Sequence, residues 1–118
     1  SQESLQRFFN DLGYRALITQ DPERALMRFK TWPRPDLLIV SAQIMQEPAM
    51  NLFNSFSNDR YLARVPVLMI GSRKRKQWFV DGAQTDDLRK VLLMPFKADT
   101  LISLVDALIN HSTSVEDS

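Results

Sequence analysis

The spacing of apolar positions changes along the chain, and each change marks an element. Leu5, Phe8, Phe9 and Leu12 recur at helical spacing, with Ser4 as N-cap and Gly13 as C-cap, which predicts a helix over residues 4–12. Residues 14–19, rich in apolar and β-branched types, predict a strand. Asp21-Pro22 is a helix start, a side-chain acceptor at N-cap followed by a preset φ at N1. Ala25, Leu26, Phe29 and Trp32 form the expected buried face of that second helix, and Pro33 and Pro35 close it. Leu37-Leu38-Ile39-Val40 is then an apolar run with no alternation, the pattern of a strand covered on both faces. After Pro48, Met50, Leu52, Phe53 and Phe56 predict a third amphipathic helix, ended by the polar Ser57-Asn58-Asp59-Arg60. Val67-Leu68-Met69-Ile70 is a second unalternated run, stopping at Gly71-Ser72. A short helix over residues 77–83 carries Trp78, Phe79 and Val80, a loop covers 81–87, and Val91-Leu92-Leu93-Met94 is a further strand ending at Pro95. Leu101, Ile102, Leu104, Val105, Leu108 and Ile109 make a clear helical stripe, with Asp99 in the first turn.

Strict alternation of helix and strand argues for a doubly wound α/β fold, a parallel sheet with helices on both faces. At 118 residues there is one domain, expected over 1–111, with 112–118 as a polar C-terminal tail. Fifteen basic against 14 acidic side chains leave a net charge of +1, so no global field steers the chain to nucleic acid or anionic lipid. Such a partner would need a local patch. The most basic stretch is Arg73-Lys74-Arg75-Lys76, read either as a patch for nucleic acid or an acidic partner or as a solvated loop, with Trp78 and Phe79 beside it as anchors or core cover. The absence of cysteine excludes disulfides and thiolate metal sites and fits a cytoplasmic setting; His111, the single histidine, makes no metal site by itself. The apolar runs are too short to span a membrane. Chemistry in open α/β sheets gathers at the carboxyl ends of strands, and the central strand ends in Ser41, with no acid, cysteine or histidine in the next four residues.

Three landmarks share one pattern. Pro35-Asp36-Leu37-Leu38-Ile39-Val40-Ser41, Pro66-Val67-Leu68-Met69-Ile70-Gly71-Ser72 and Leu92-Leu93-Met94-Pro95-Phe96 resemble the third, fourth and fifth strands of the receiver domains of two-component response regulators. Leu12-Gly13-Tyr14 and Asp21-Pro22-Glu23-Arg24-Ala25-Leu26 are similar to that family as well, so the likeness covers nearly the whole chain. The resemblance implies a flavodoxin-like (CheY-like) sheet whose first strand is missing from this chain, leaving apolar edges on the strands at 14–19 and 36–40. It also implies an aspartate that accepts phosphate at the end of the third strand, an acidic Mg²⁺-binding pair on the first, a Ser or Thr ending the fourth, and a Lys before the proline of the fifth. A carboxylate nucleophile needs a metal to screen the phosphate and a cation to hold the new charge.

Set on this sequence, those positions hold Ser41, Gly71 (with Ser72 beside it) and Met94 before Pro95, the aromatic switch position is Val91, and the acidic pair falls upstream of Ser1. Serine without a neighbouring base is a poor nucleophile, and Met94 cannot pair with phosphate. The expectation is a degenerate pseudo-receiver from a larger bacterial signalling protein. It is expected to be non-enzymatic, to hold no cofactor or metal, and to act by protein–protein interaction with a partner, with other domains of its parent or with a second copy. By resemblance the partner surface is drawn from Arg73, Lys74, Arg75, Lys76, Trp78, Phe79 and Val91, within residues 76–80, 89–93 and 101–109. The resemblance further implies a cis Met94–Pro95 bond. The alternatives are an atypical phosphoacceptor, or nucleic-acid or acidic-partner binding through the loop at 73–76.

Overall fold

The unalternated runs become the middle of one sheet. The computed structural model describes residues 2–43 and 46–117; Ile44 and Met45, just after the central strand, lie outside the described residues, as do Ser1 and Ser118. The elements are α1 (Gln2–Asp11), β1 (Ala16–Ile18), α2 (Pro22–Lys30), β2 (Leu37–Ser41), α3 (Gln46–Ser57), β3 (Val67–Ser72), α4 (Lys76–Gly82), β4 (Arg89–Met94) and α5 (Ala98–Asp117), with 3-10 turns at Leu62–Arg64 and Arg73–Arg75. The four strands are parallel and lie in the order β1-β2-β3-β4.

That order fixes the layers. Every crossover steps the same way across the sheet, and right-handed crossovers then put all three connecting helices on one face. Leu17, Leu38, Val40, Val67 and Met69 meet Ala25 and Phe29 of α2, Phe53 and Phe56 of α3 and Phe79 of α4 there. The opposite face, Ala16, Ile18, Leu37, Ile39, Leu68, Ile70 and Leu92, is covered by Phe9 of α1 and by Leu101, Val105 and Leu108 of α5. Leu37, Leu38, Ile39 and Val40 are fully buried because each strand face has its own helical layer.

The inner edges expected to be left open are closed instead. β1 pairs directly with β2, Ala16 against Leu37 and Ile18 against Ile39, so the sheet has no gap where a first receiver strand would lie. The outer edge of β1 is blunted as well: Gln6 of α1 donates its Nε2 to the Ala16 carbonyl at 2.8 Å.

Local chemistry sets the helix ends. Asp21 caps α2, its Oδ1 accepting from the Glu23 N–H at 3.0 Å and the Arg24 N–H at 3.4 Å. Gly13, at φ +88°, ends α1 in a Schellman motif: its N–H donates to the Asn10 carbonyl at 3.0 Å, and the Tyr14 N–H to the Phe9 carbonyl at 2.9 Å. Space around Gly13 is open, so the cost of a side chain there is conformational alone. Gly13→Ala is expected to lower stability by about 1–2 kcal/mol, and Gly13→Asn by less, read from urea unfolding. Tyr14 then ties α1's exit to α5, donating its hydroxyl to Asp106 Oδ1 at 2.5 Å; that hydrogen bond and the Asp106 charge raise the phenol above its ordinary value.

Two expectations are corrected. Trp32 is not part of the α2 core face but 85% exposed, because the chain turns extended at Thr31 (φ −112°, ψ 129°) and leaves the helical period before reaching it. Residues 112–117 are not a tail but the last turns of α5: Ser112 is buried and donates to the Arg64 carbonyl at 3.1 Å, so its polar side chain docks the helix end. Finally, the Met94–Pro95 bond is cis as implied, and a second cis bond, Trp32–Pro33, has no counterpart in the sequence reading.

Candidate functional site

The carboxyl edge of the sheet gathers the positions singled out from the sequence, but it splits them between two faces. Ser41 is half-buried at the end of β2, opposite Ile70. Ser72 and Met94 end β3 and β4 and pair with each other. Side chains alternate along a strand, so Ser41, Ser72 and Met94 lie toward α1 and α5, while Gly71 lies toward α4. Ser72 therefore cannot substitute for a hydroxyl at position 71.

Position 71 is closed to any side chain. A Cβ built on Gly71 would lie 2.0 Å from Cζ of Phe79, so the tip of that ring occupies the space a side chain would need. Phe79, expected at the partner surface, is 2% exposed; it is the residue that docks the short α4 onto β3. The ring fills the space beside position 71, where the sequence resemblance leads us to expect a hydroxyl.

Among the described residues neither serine hydroxyl is hydrogen-bonded to a side chain that could act as a base. The Ser72 hydroxyl accepts from the Lys74 N–H at 3.2 Å and so caps the 3-10 turn at Arg73–Arg75. Met94 packs against the α1/α5 cluster, and its thioether accepts from Gln43 Nε2 at 3.0 Å, a contact no sequence pattern signalled. Ser72, Arg73, Lys74, Met94, Pro95 and Phe96 line an open groove of about 550 Å³. Arg73 donates to the Pro95 carbonyl at 3.2 Å across it. Among the described residues no group of three or more His, Cys, Asp or Glu stands close enough to hold a metal ion. The strand order also lacks the reversal at which open α/β sheets form their ligand crevice.

The residues expected at the partner surface divide between exposed and buried positions. Arg73, Lys74, Arg75 and Lys76 are all exposed, with the Arg75 guanidinium 5.3 Å from the centre of the Trp78 ring, which in turn meets Phe79 edge-on at 5.0 Å. Trp78 and Val91 are half-buried against the core. Beside them runs a groove of about 330 Å³ between α4 and the free edge of β4, floored by Phe79, Val91 and Leu93 and rimmed by Lys76 and Lys90. Arg89, at the start of that strand, is withdrawn from the surface: it is 5% exposed, its Nε and Nη2 donate to Asp86 Oδ2 at 2.9 and 2.6 Å, and its Nη1 donates to the Ala63 carbonyl at 2.7 Å.

With this geometry in view, comparison with solved structures finds 22 matching chains. One, a bacteriophytochrome response regulator, superposes with a TM-score of 0.54 at 12% identity over 80% of this chain and 92% of its own. The chain thus has the receiver-type, CheY-like α/β fold. No family model matches the sequence, and no curated protein matches it. No described helix is long and apolar enough to cross a membrane.

Proposed function

We propose that the chain is a receiver-like signalling module that takes no phosphoryl group itself and acts by binding a protein partner through the α4–β4–α5 side. The observation that carries this reading is the filled acceptor site: Ser41 where a carboxylate nucleophile would stand, the Phe79 ring over Gly71, and a methionine thioether in place of an ammonium. None of these groups stabilises transferred phosphate. The free edge of β4, the apolar groove and the lysines on its rim supply main-chain hydrogen bonds, apolar area and positive charge together, which suits an acidic segment of a partner.

The test is incubation with acetyl phosphate and Mg²⁺ followed by intact-protein mass. No adduct is expected. A stoichiometric phosphoryl gain that disappears in Ser41→Ala would replace this reading with an atypical phosphoacceptor.

A further inference from the structure

The amino edge of the sheet, opposite the degenerate site, concentrates charge that the core does not use. Arg34 stands just before β2, and Arg60, Tyr61 and Arg64 belong to the segment that leads into β3. These four residues line one cleft of about 380 Å³. Arg34 and Arg64 also wall an adjoining cleft of about 300 Å³, whose rim includes Trp32. All three arginines are exposed, and among the described residues none of their guanidiniums makes an ion pair or a hydrogen bond. Trp32 is almost bare, and Tyr61 is 75% exposed.

Among the described residues the nearby acids form no ion pair with the group, although Asp36 also lines the adjoining cleft. Asp36 accepts from the Arg15 N–H at 2.8 Å. Asp59 Oδ1 accepts from the Tyr61 and Leu62 N–H groups at 2.8 and 3.1 Å, bonds that hold its carboxyl below the ordinary value. Both carboxylates are engaged by backbone. Three guanidiniums around one concavity repel each other, and a ligand with several anionic oxygens relieves that repulsion while accepting from their planar donor forks. Exposed aromatic faces beside guanidiniums are also what a planar base stacks on. The three guanidiniums line a recess, which suits a compact anionic ligand.

We propose that this amino-edge cleft binds the phosphates of a nucleotide, free or as a unit of single-stranded nucleic acid, with Trp32 and Tyr61 as stacking faces for the base. A net charge of +1 is no obstacle, because the patch is local. The cleft of Arg34, Arg60, Tyr61 and Arg64 shares no lining residue with the groove between α4 and β4.

The test titrates the 118-residue chain with ATP by calorimetry and with a fluorescein-labelled oligo(dT) by anisotropy, alongside inorganic phosphate and phosphatidylserine vesicles. Saturable binding of ATP or of the oligonucleotide is expected. If about three phosphates of a single strand are neutralised, its affinity falls roughly 20-fold between about 50 and 200 mM salt. Arg34→Ala with Arg64→Ala should weaken the bound probe by about tenfold or more, and Trp32→Ala by about fivefold or more. These side chains are exposed, so the variants keep the fold. Replacing Arg73, Lys74, Arg75 and Lys76 with Ala should leave affinity within about twofold. A preference for ATP identifies a free nucleotide, and a preference for the oligonucleotide identifies the strand. The proposal is overturned if neither binds, if only phosphate or the vesicles bind, or if binding survives loss of Arg34 and Arg64 but not loss of the 73–76 cations.

Discussion

Gly71→Ala lowers the stability of this chain by about 2–3 kcal/mol, an expected melting-temperature drop of roughly 8–12 °C. The single added methyl meets the end of the Phe79 ring at 2.0 Å, a distance no pair of carbons tolerates. The ring cannot simply swing aside, because Phe79 is buried in the cluster that joins α2, α3 and α4 to the sheet, and Trp78 abuts it at 5.0 Å between centroids. Relief therefore requires α4 to lift from β3. Shortening the opposing side chain should restore room: Phe79→Leu alone costs about 1–2 kcal/mol as a buried truncation. Combined with Gly71→Ala, the total should fall short of the sum by at least about 1 kcal/mol. Denaturant unfolding of the four proteins in this cycle gives the coupling directly; strict additivity would mean that the strand, not the ring, yields. Gly71→Thr, which adds a larger, branched side chain against the same ring, should be worse still.

The second large effect concerns the turn into β4. Asp86→Ala is expected to cost about 2 kcal/mol, whereas Arg89→Met should cost less than half as much, because removing one partner of a buried ion pair strands the other charge. Arg89 is the buried member, and without Asp86 its guanidinium keeps only the Ala63 carbonyl. Asp86 is 45% exposed, so water can solvate it when Arg89 is gone, and this exposure holds the estimate below the full buried-pair penalty. Asp86 Oδ1 also accepts from the Leu88 N–H at 2.8 Å, a bond lost in Asp86→Ala and kept in Arg89→Met. Urea midpoints of the two variants decide the order. A larger loss for Arg89→Met would assign the stability to the Ala63 contact instead.

Local patterns make most elements legible in the sequence itself. The runs at Leu37 and Val67 are apolar on every residue because each faces a helical layer on both sides, and this is visible without knowing which helices supply them. Asp21-Pro22 and Gly13 mark helix ends through their own backbone chemistry. What escaped depends on contacts distant in sequence. Arg89 looks like a surface cation until Asp86 and the Ala63 carbonyl are brought around it. The serine and threonine at 112 and 113 suggest a tail, yet Ser112 reaches the Arg64 carbonyl and Thr113 bonds back to Ile109, so polar composition conceals a helix. At the candidate site, the resemblance to receivers is what marks Ser41 and Met94 as positions without the expected charge. The ring filling Gly71 is not marked in this way, although a glycine inside a strand, with aromatics on the next helix, is the signal that points to it. Arg34 is far in sequence from Arg60 and Arg64 and meets them only when β2 and β3 lie side by side.

The strictly sequential order of the strands bears on how the molecule assembles. Each strand adds to the edge formed by the one before it, so no strand has to thread between two already in place. Every closure spans a single crossover, which keeps the entropy of each loop small and equal in kind. Such a sheet can grow from its amino-terminal end while the chain is still being synthesised, with α5 arriving last to seal the face that the crossovers leave bare.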